Sequence, residues 1–163
     1  MASEKDKLIR ASVLDRLLDD EPQLAEDSEQ TRHKKLRDLR NSVRRDLETL
    51  LNTRCRVVSP PPEFEELQNS LHNYGLPDLA TVNILDTEKK KEFTKNLEGV
   101  IRKFEPRFKS VRVSHIENEK AERTVRFRID AVLYADPAPE IVVFDSVLEP
   151  VLRTVTVEES HHG

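Results

Sequence analysis

A chain of 163 residues, 36% hydrophobic and 36% charged, has room for one domain with a modest core and an extended arm, and is not polar enough to read as disordered. Its 27 basic and 31 acidic side chains leave a net charge of −4, which argues against a general nucleic-acid binder. Three glycines argue against a glycine-rich phosphate cradle, the lone Cys55 excludes an intramolecular disulfide or a cysteine zinc cluster, and no run approaches the roughly 20 apolar residues of a membrane span.

The first residues, MASEKDKLIRASVLD, carry no apolar run of signal-peptide type, so a soluble cytoplasmic protein is expected. Leu8, Ile9, Val13, Leu14, Leu17 and Leu18 recur at helical spacing, which predicts a short amphipathic helix over 6–18 that ends at Asp19-Asp20-Glu21-Pro22. Residues 15–30 hold seven acids against one base and read as a solvated acidic loop or as an arm that docks on a neighbour through Leu14, Leu17 and Leu18. Residues 31–52 form the strongest helical pattern, with Leu36, Leu39, Val43, Leu47 and Leu50 in one stripe and Arg44 and Glu48 as an opposite-charge pair one turn apart. Nine basic residues against three acids across 31–56 suit contact with the acidic loop or with another acidic subunit better than phosphate, because no aromatics interleave them.

Ser59-Pro60-Pro61-Pro62 forces a turn or polyproline segment, Glu63–Leu71 suits a short helix, and Tyr74–Leu79 a loop with a helix restart after Pro77. A second long helix is expected over 87–105, where Phe93, Leu97, Val100, Ile101 and Phe104 share a stripe; Gly99 inside it suggests close approach of another element. Pro106 stops that helix and pushes Glu105 into extended geometry, so Glu105 and Arg107 flank a rigid corner. That corner is either a plain helix stop with solvated charges or a presented carboxylate and guanidinium. From here the period changes to two: strands are expected over 110–117, 124–134, 141–144 and 152–158, with Val125, Phe127, Ile129, Ala131 and Leu133 on one face and Arg126, Arg128 and Asp130 on the other. The turn after Glu149-Pro150 lacks the glycine a tight hairpin favours. The fold class is α+β, with N-terminal helices packed on a C-terminal antiparallel sheet of about four strands. Three segments follow: 1–30 as arm and acidic linker, 31–159 as the α+β domain, and 160–163 as a tail.

No catalytic constellation emerges. The acid clusters lie in polar segments where nothing suggests the burial that raises a carboxyl pKa, and His33, His72, His115, His161 and His162 lack metal-ligand spacing. No Walker, Rossmann or nucleophile-elbow pattern is present, so neither metal nor cofactor is expected and an interaction protein is favoured over an enzyme.

Five stretches in order carry a resemblance: Ser12-Val13-Leu14-Asp15-Arg16-Leu17 with Asp19-Asp20-Glu21-Pro22; Ser42-Val43-Arg44-Arg45-Asp46-Leu47-Glu48 with Leu50-Leu51-Asn52-Thr53-Arg54; Tyr74-Gly75-Leu76-Pro77-Asp78-Leu79; Phe104-Glu105-Pro106-Arg107; and Phe127-Arg128-Ile129-Asp130-Ala131. Together they resemble the TssE family of type VI secretion baseplate subunits, within the phage baseplate-wedge family once labelled lysozyme-like. The resemblance implies a non-enzymatic baseplate subunit that sits in the cytoplasm at the inner membrane complex. It implies that Glu105, Pro106 and Arg107 contact the core bundle of the wedge subunits TssF and TssG, with TssK in the same baseplate. It also implies a fold like the sheath domain that exchanges strands, and hence a link to sheath subunits TssB and TssC, with no nucleic acid and no direct membrane insertion. Arg44, Arg45 and Asp46 either brace the corner or face a partner. The sheet's open edge is expected near Ile141–Phe144 or Leu152–Glu158. A peptidoglycan hydrolase is the competing reading.

Overall fold

The computed structural model describes residues 17, 32–56, 61, 63–77, 87–116, 124–135, 138–149 and 152–160. Among these, the first long element is α1, Arg32–Asn52, which forms where the leucine stripe predicts it. Leu39, Val43, Leu47, Leu50 and Leu51 are buried along it. A short helix α2, Glu65–Gln68, and a 3-10 turn, Leu71–Asn73, replace the single helix expected over 63–71. Ser70 divides them by accepting the His72 amide with its hydroxyl, a local turn that competes with helix continuation. Helix α3, Thr87–Phe104, buries Phe93, Leu97 and Ile101 and stops one residue short of the expected end, with Glu105 already outside.

Four antiparallel strands follow in the order β1-β2-β3-β4. They are β1 Phe108–Ile116, β2 Val125–Leu133, β3 Glu140–Glu149 and β4 Thr154–Glu159. The period of two fixes the inner face: Val111 and Val113, all five expected residues of β2, Val142, Phe144 and Leu148, then Val155 and Val157 are buried. Both long helices cover this face, α3 beside β1 and α1 beside β4. Phe93 of α3 meets Phe127 edge to face with ring centroids 6.3 Å apart. Each such fully buried ring stabilises the fold by roughly 1.5–3 kcal/mol relative to exposure.

The structure departs from the sequence reading at several points. Strand β3 continues to Glu149 instead of ending at Phe144, because Asp145 is held by Arg128 on β2 and Ser146 is buried on the inner face. It is also an interior strand, so Ile141–Phe144 is not an edge; among the described strands the edges are β1 and β4. The hairpin between β3 and β4 closes without glycine: Arg153 itself takes φ 56°, and its amide donates to the Glu149 carbonyl at 2.7 Å. Gly99 does not mark a close approach, since a Cβ there would meet nothing within 4 Å. The expected arm helix, the acidic loop, the 57–58 extended piece and the helix restart after Pro77 lie outside the described residues, apart from Leu17.

Gly75 is the glycine the fold requires. Its φ is +107°, and a Cβ would lie 2.4 Å from the Thr53 carbonyl oxygen. That approach lets Leu76 donate to Thr53 and accept from Cys55, so the loop after the 3-10 turn is stitched to the end of α1. Gly75→Ala is therefore expected to cost more than about 1 kcal/mol, whereas Gly99→Ala gains roughly 0.5–1 kcal/mol by stiffening α3. Urea unfolding of the two variants checks the opposite signs.

Candidate functional site

Where α3 ends, the ring of Pro106 prevents Glu105 from continuing the helix, and the chain turns through two residues into β1. The Glu105 side chain turns inward and is only 5% exposed. A carboxylate carried that far from water must be paired and hydrogen-bonded. Arg107 supplies both requirements. Its Nε donates to Glu105 Oε1 at 2.6 Å and its Nη2 to Oε2 at 2.5 Å, a side-on fork, and its backbone amide donates to Oε1 at 3.1 Å.

The rest of the guanidinium points at α1. Nη1 donates to the Ser42 hydroxyl at 3.0 Å and Nη2 to Asp46 Oδ2 at 2.7 Å. Ser42 and Asp46 are four residues apart on a helix and so share one face. The sequence quotes Ser42 only as part of a motif, and nothing in it singles out the hydroxyl; the four-residue spacing to Asp46 is the available signal. Arg45 lies 3.5 Å from Asp46 and extends the charge row. Arg44 belongs to a different face: it bonds Glu48 at 3.3 Å and reaches the Val157 carbonyl on β4. Pro106 is exposed and Arg107 half-buried, so the outer surface of the corner is the proline ring beside one rim of the guanidinium.

Charge in the corner has measurable consequences. Burial by itself would lower the Arg107 pKa, but the hydrogen bond and charge of Glu105, followed by those of Asp46, outweigh it and raise the value above normal. Tyr74 packs edge to face on Phe104, centroids 5.2 Å apart. Burial, then the negative charges of Asp46 and Glu105, raise its hydroxyl above the ordinary 10.0. Beside Phe104, an open groove is lined by Asn69, Ser70, Leu71 and His72, and Lys103 Nζ donates to the Gln68 carbonyl, tying the α2 segment to the end of α3. Phe64, Leu67 and Leu71 are exposed along that segment.

Of the sequence-derived site residues, the structure thus brings Glu105, Arg107 and Asp46 into one network with Arg45 at its margin and sets Arg44 apart. Leu14 lies outside the described residues, and Leu17 is 76% exposed. Glu105 is the one buried acid among the described residues, and both its oxygens accept from Arg107, so neither is presented to a cleft as a glycosidase carboxylate would be. No group of three or more His, Cys, Asp or Glu that would hold a metal occurs among the described residues. None of the described helices is long and apolar enough to cross a membrane.

Removing Arg107 leaves Glu105 buried and unpaired, so Arg107→Ala is expected to cost about 3–5 kcal/mol. Arg102→Ala, which breaks an exposed pair with Glu98, should cost no more than about 0.5 kcal/mol. Chemical denaturation of both variants reads the difference. A second expectation concerns pH. A raised Tyr74 value means its contribution to stability is fully present below pH 10 and is lost as pH rises through the folded-state value. Tyrosinate absorbance should show a residue titrating above the ordinary range, absent in Tyr74→Phe.

The family model described as "Baseplate wedge protein gp25" matches residues 37–138, more than half of the chain. That segment runs from the first turns of α1 through β2 and includes the whole corner network. No curated protein and no solved structure matches the chain.

Proposed function

This chain belongs to the baseplate wedge protein gp25 family, and from that premise we propose that it ties the wedge core bundle to the first sheath ring of a contractile type VI secretion machine and templates sheath assembly by strand addition. Family membership makes it a structural baseplate component that associates with other baseplate proteins. The finer assignments are ours. The wedge contact is the Glu105-Pro106-Arg107 corner, its partners are TssF and TssG with TssK in the same baseplate, and the sheath subunits TssB and TssC meet an edge of the sheet. It works in the cytoplasm, in a baseplate docked at the inner membrane complex, without cofactor, nucleic acid or membrane insertion, and its role is structural and not catalytic.

The observation that carries this reading is the corner's construction. The Glu105–Arg107 fork, Ser42 and Asp46 hold Pro106 outward in a fixed position, so a partner meets a surface that needs no ordering on contact. Exposed Leu71 stands beside Phe104, next to that corner, and supplies apolar area of the kind docking surfaces use. Asp46 serves the corner from behind as a brace. Arg45 lies at its margin, while Leu14 and Leu17 supply a separate docking arm.

Because Arg107 carries stability, the decisive variant is one at the corner's exposed residue, Pro106. Co-purification of the tagged chain with TssF and TssG is expected to retain the wild type and lose Pro106→Asp, assayed at a temperature where circular dichroism shows the variant fully folded. Retention of Pro106→Asp would move the interface to the N-terminal arm or the basic helix.

A further inference from the structure

Adding a strand requires backbone N–H and C=O groups that point away from the sheet and have no partner. Alternation decides which residues carry them. In β4 the even-numbered residues face β3, and Val155, Val157 and Glu159 face outward; in β1 the outward residues are Val111, Val113 and His115.

The two edges are not equivalent. At β4, the Asn52 side chain donates from Nδ2 to the Val155 carbonyl at 2.8 Å and accepts the Val155 amide on Oδ1, also at 2.8 Å. One side-chain amide thereby makes both bonds that a residue of a neighbouring strand would make. Arg44 Nη1 donates to the Val157 carbonyl at 3.3 Å. Three of the four outward groups of Val155 and Val157 are therefore occupied by α1. At β1, Glu98 Oε2 accepts the Val113 amide at 3.3 Å, and among the described residues nothing engages the Val111 amide, the Val111 carbonyl or the Val113 carbonyl.

We propose that β1 is the edge that receives a partner strand, and that Asn52 closes β4 to such addition. The inference rests on the strand-accepting role proposed above and names its site. It also specifies the guest. Continuing the pleat outward from β1, guest residues beside Val111 and Val113 fall on the helix-covered face, and those beside Arg112 and Ser114 fall on the open face. Arg112 is exposed there, and Lys109 is exposed at the register shift where the strand begins. The fitting segment is an extended one that alternates apolar with acidic residues.

The test is hydrogen–deuterium exchange of the full chain, free and bound to assembled sheath subunits of the same gene cluster, read on fragments covering 108–116 and 154–159. In the wild type, binding is expected to slow exchange in 108–116 at least about tenfold and to leave 154–159 unchanged. In free Asn52→Ala, exchange in 154–159 should rise at least about tenfold, with 108–116 unaffected. Slowing in 154–159 of the bound wild type overturns the choice of edge, and unchanged exchange there in free Asn52→Ala overturns the closing role of Asn52. Sheath binding with protection at neither edge removes strand addition itself, which is the failure of the wider proposal and is distinguishable from both.

Discussion

The Glu105 carboxylate is the constraint to which the corner is built. A charge of that burial is tolerated only with a full set of partners: Arg107 from the turn just before β1, with Ser42 and Asp46 from α1 completing the guanidinium. Two carboxylates share one guanidinium, with Arg45 3.5 Å from Asp46 at the margin, and after burial their charges are the next causes that raise the Tyr74 hydroxyl. Such a cluster contributes little net energy compared with an apolar replacement of equal volume. Its distinctive property is directional. The fork admits one relative placement of helix end, strand start and α1, which an apolar plug would leave looser.

Helix α1 distributes three duties around its circumference. Val43, Leu47 and Leu50 point into the core. Turning one way from that stripe, Ser42 and Asp46 face the corner; turning the other way, Arg40, Arg44 and Asn52 face the sheet's far end. Arg40 pairs with Glu140 and, at 3.4 Å, with Glu159, so β3 and β4 are fastened where they lie farthest from their hairpin. With 3.6 residues per turn, neighbouring positions such as 42, 43 and 44 necessarily serve three different surfaces.

Local pattern was enough for some of this and silent on the rest. The leucine stripe of α1 and the inward row Val125, Phe127, Ile129, Ala131 and Leu133 follow from period alone, because burial on one face is what the period records. Pro106 announced the corner, since its effect on Glu105 is a matter of adjacent atoms. What the carboxylate does after the chain turns is a different kind of fact: Glu105 and Arg107 read equally well as solvated charges until Ser42 and Asp46, more than fifty residues earlier, are brought alongside. Asp145-Ser146 looked like the end of a strand because the Arg128 that holds Asp145 lies on a neighbouring strand. Asn52 stands in the sequence only as one residue of a resembling stretch, its role being set by where β4 comes to rest. An asparagine at a helix end is ordinarily read as a cap or a stop.

Helix α3 delivers Glu105 to the corner at its C-terminal end, while Glu98, two turns earlier, touches the Val113 amide on the β1 edge. Strand β1 starts directly from that corner and is held beside α3 along its length. On the proposed reading, the wedge-facing surface and the strand-receiving edge therefore belong to a single helix–corner–strand unit, with the Glu105–Arg107 fork at its vertex. A load entering through a strand on β1 would pass to the corner through the ladder and the fork, without crossing the β3–β4 hairpin. The sealed edge lies on the opposite side of the sheet, where Asn52 and Arg44 satisfy backbone groups that would otherwise invite a second, unwanted strand. A sheet with one receptive edge gives added strands a single direction of growth, which is what a template requires.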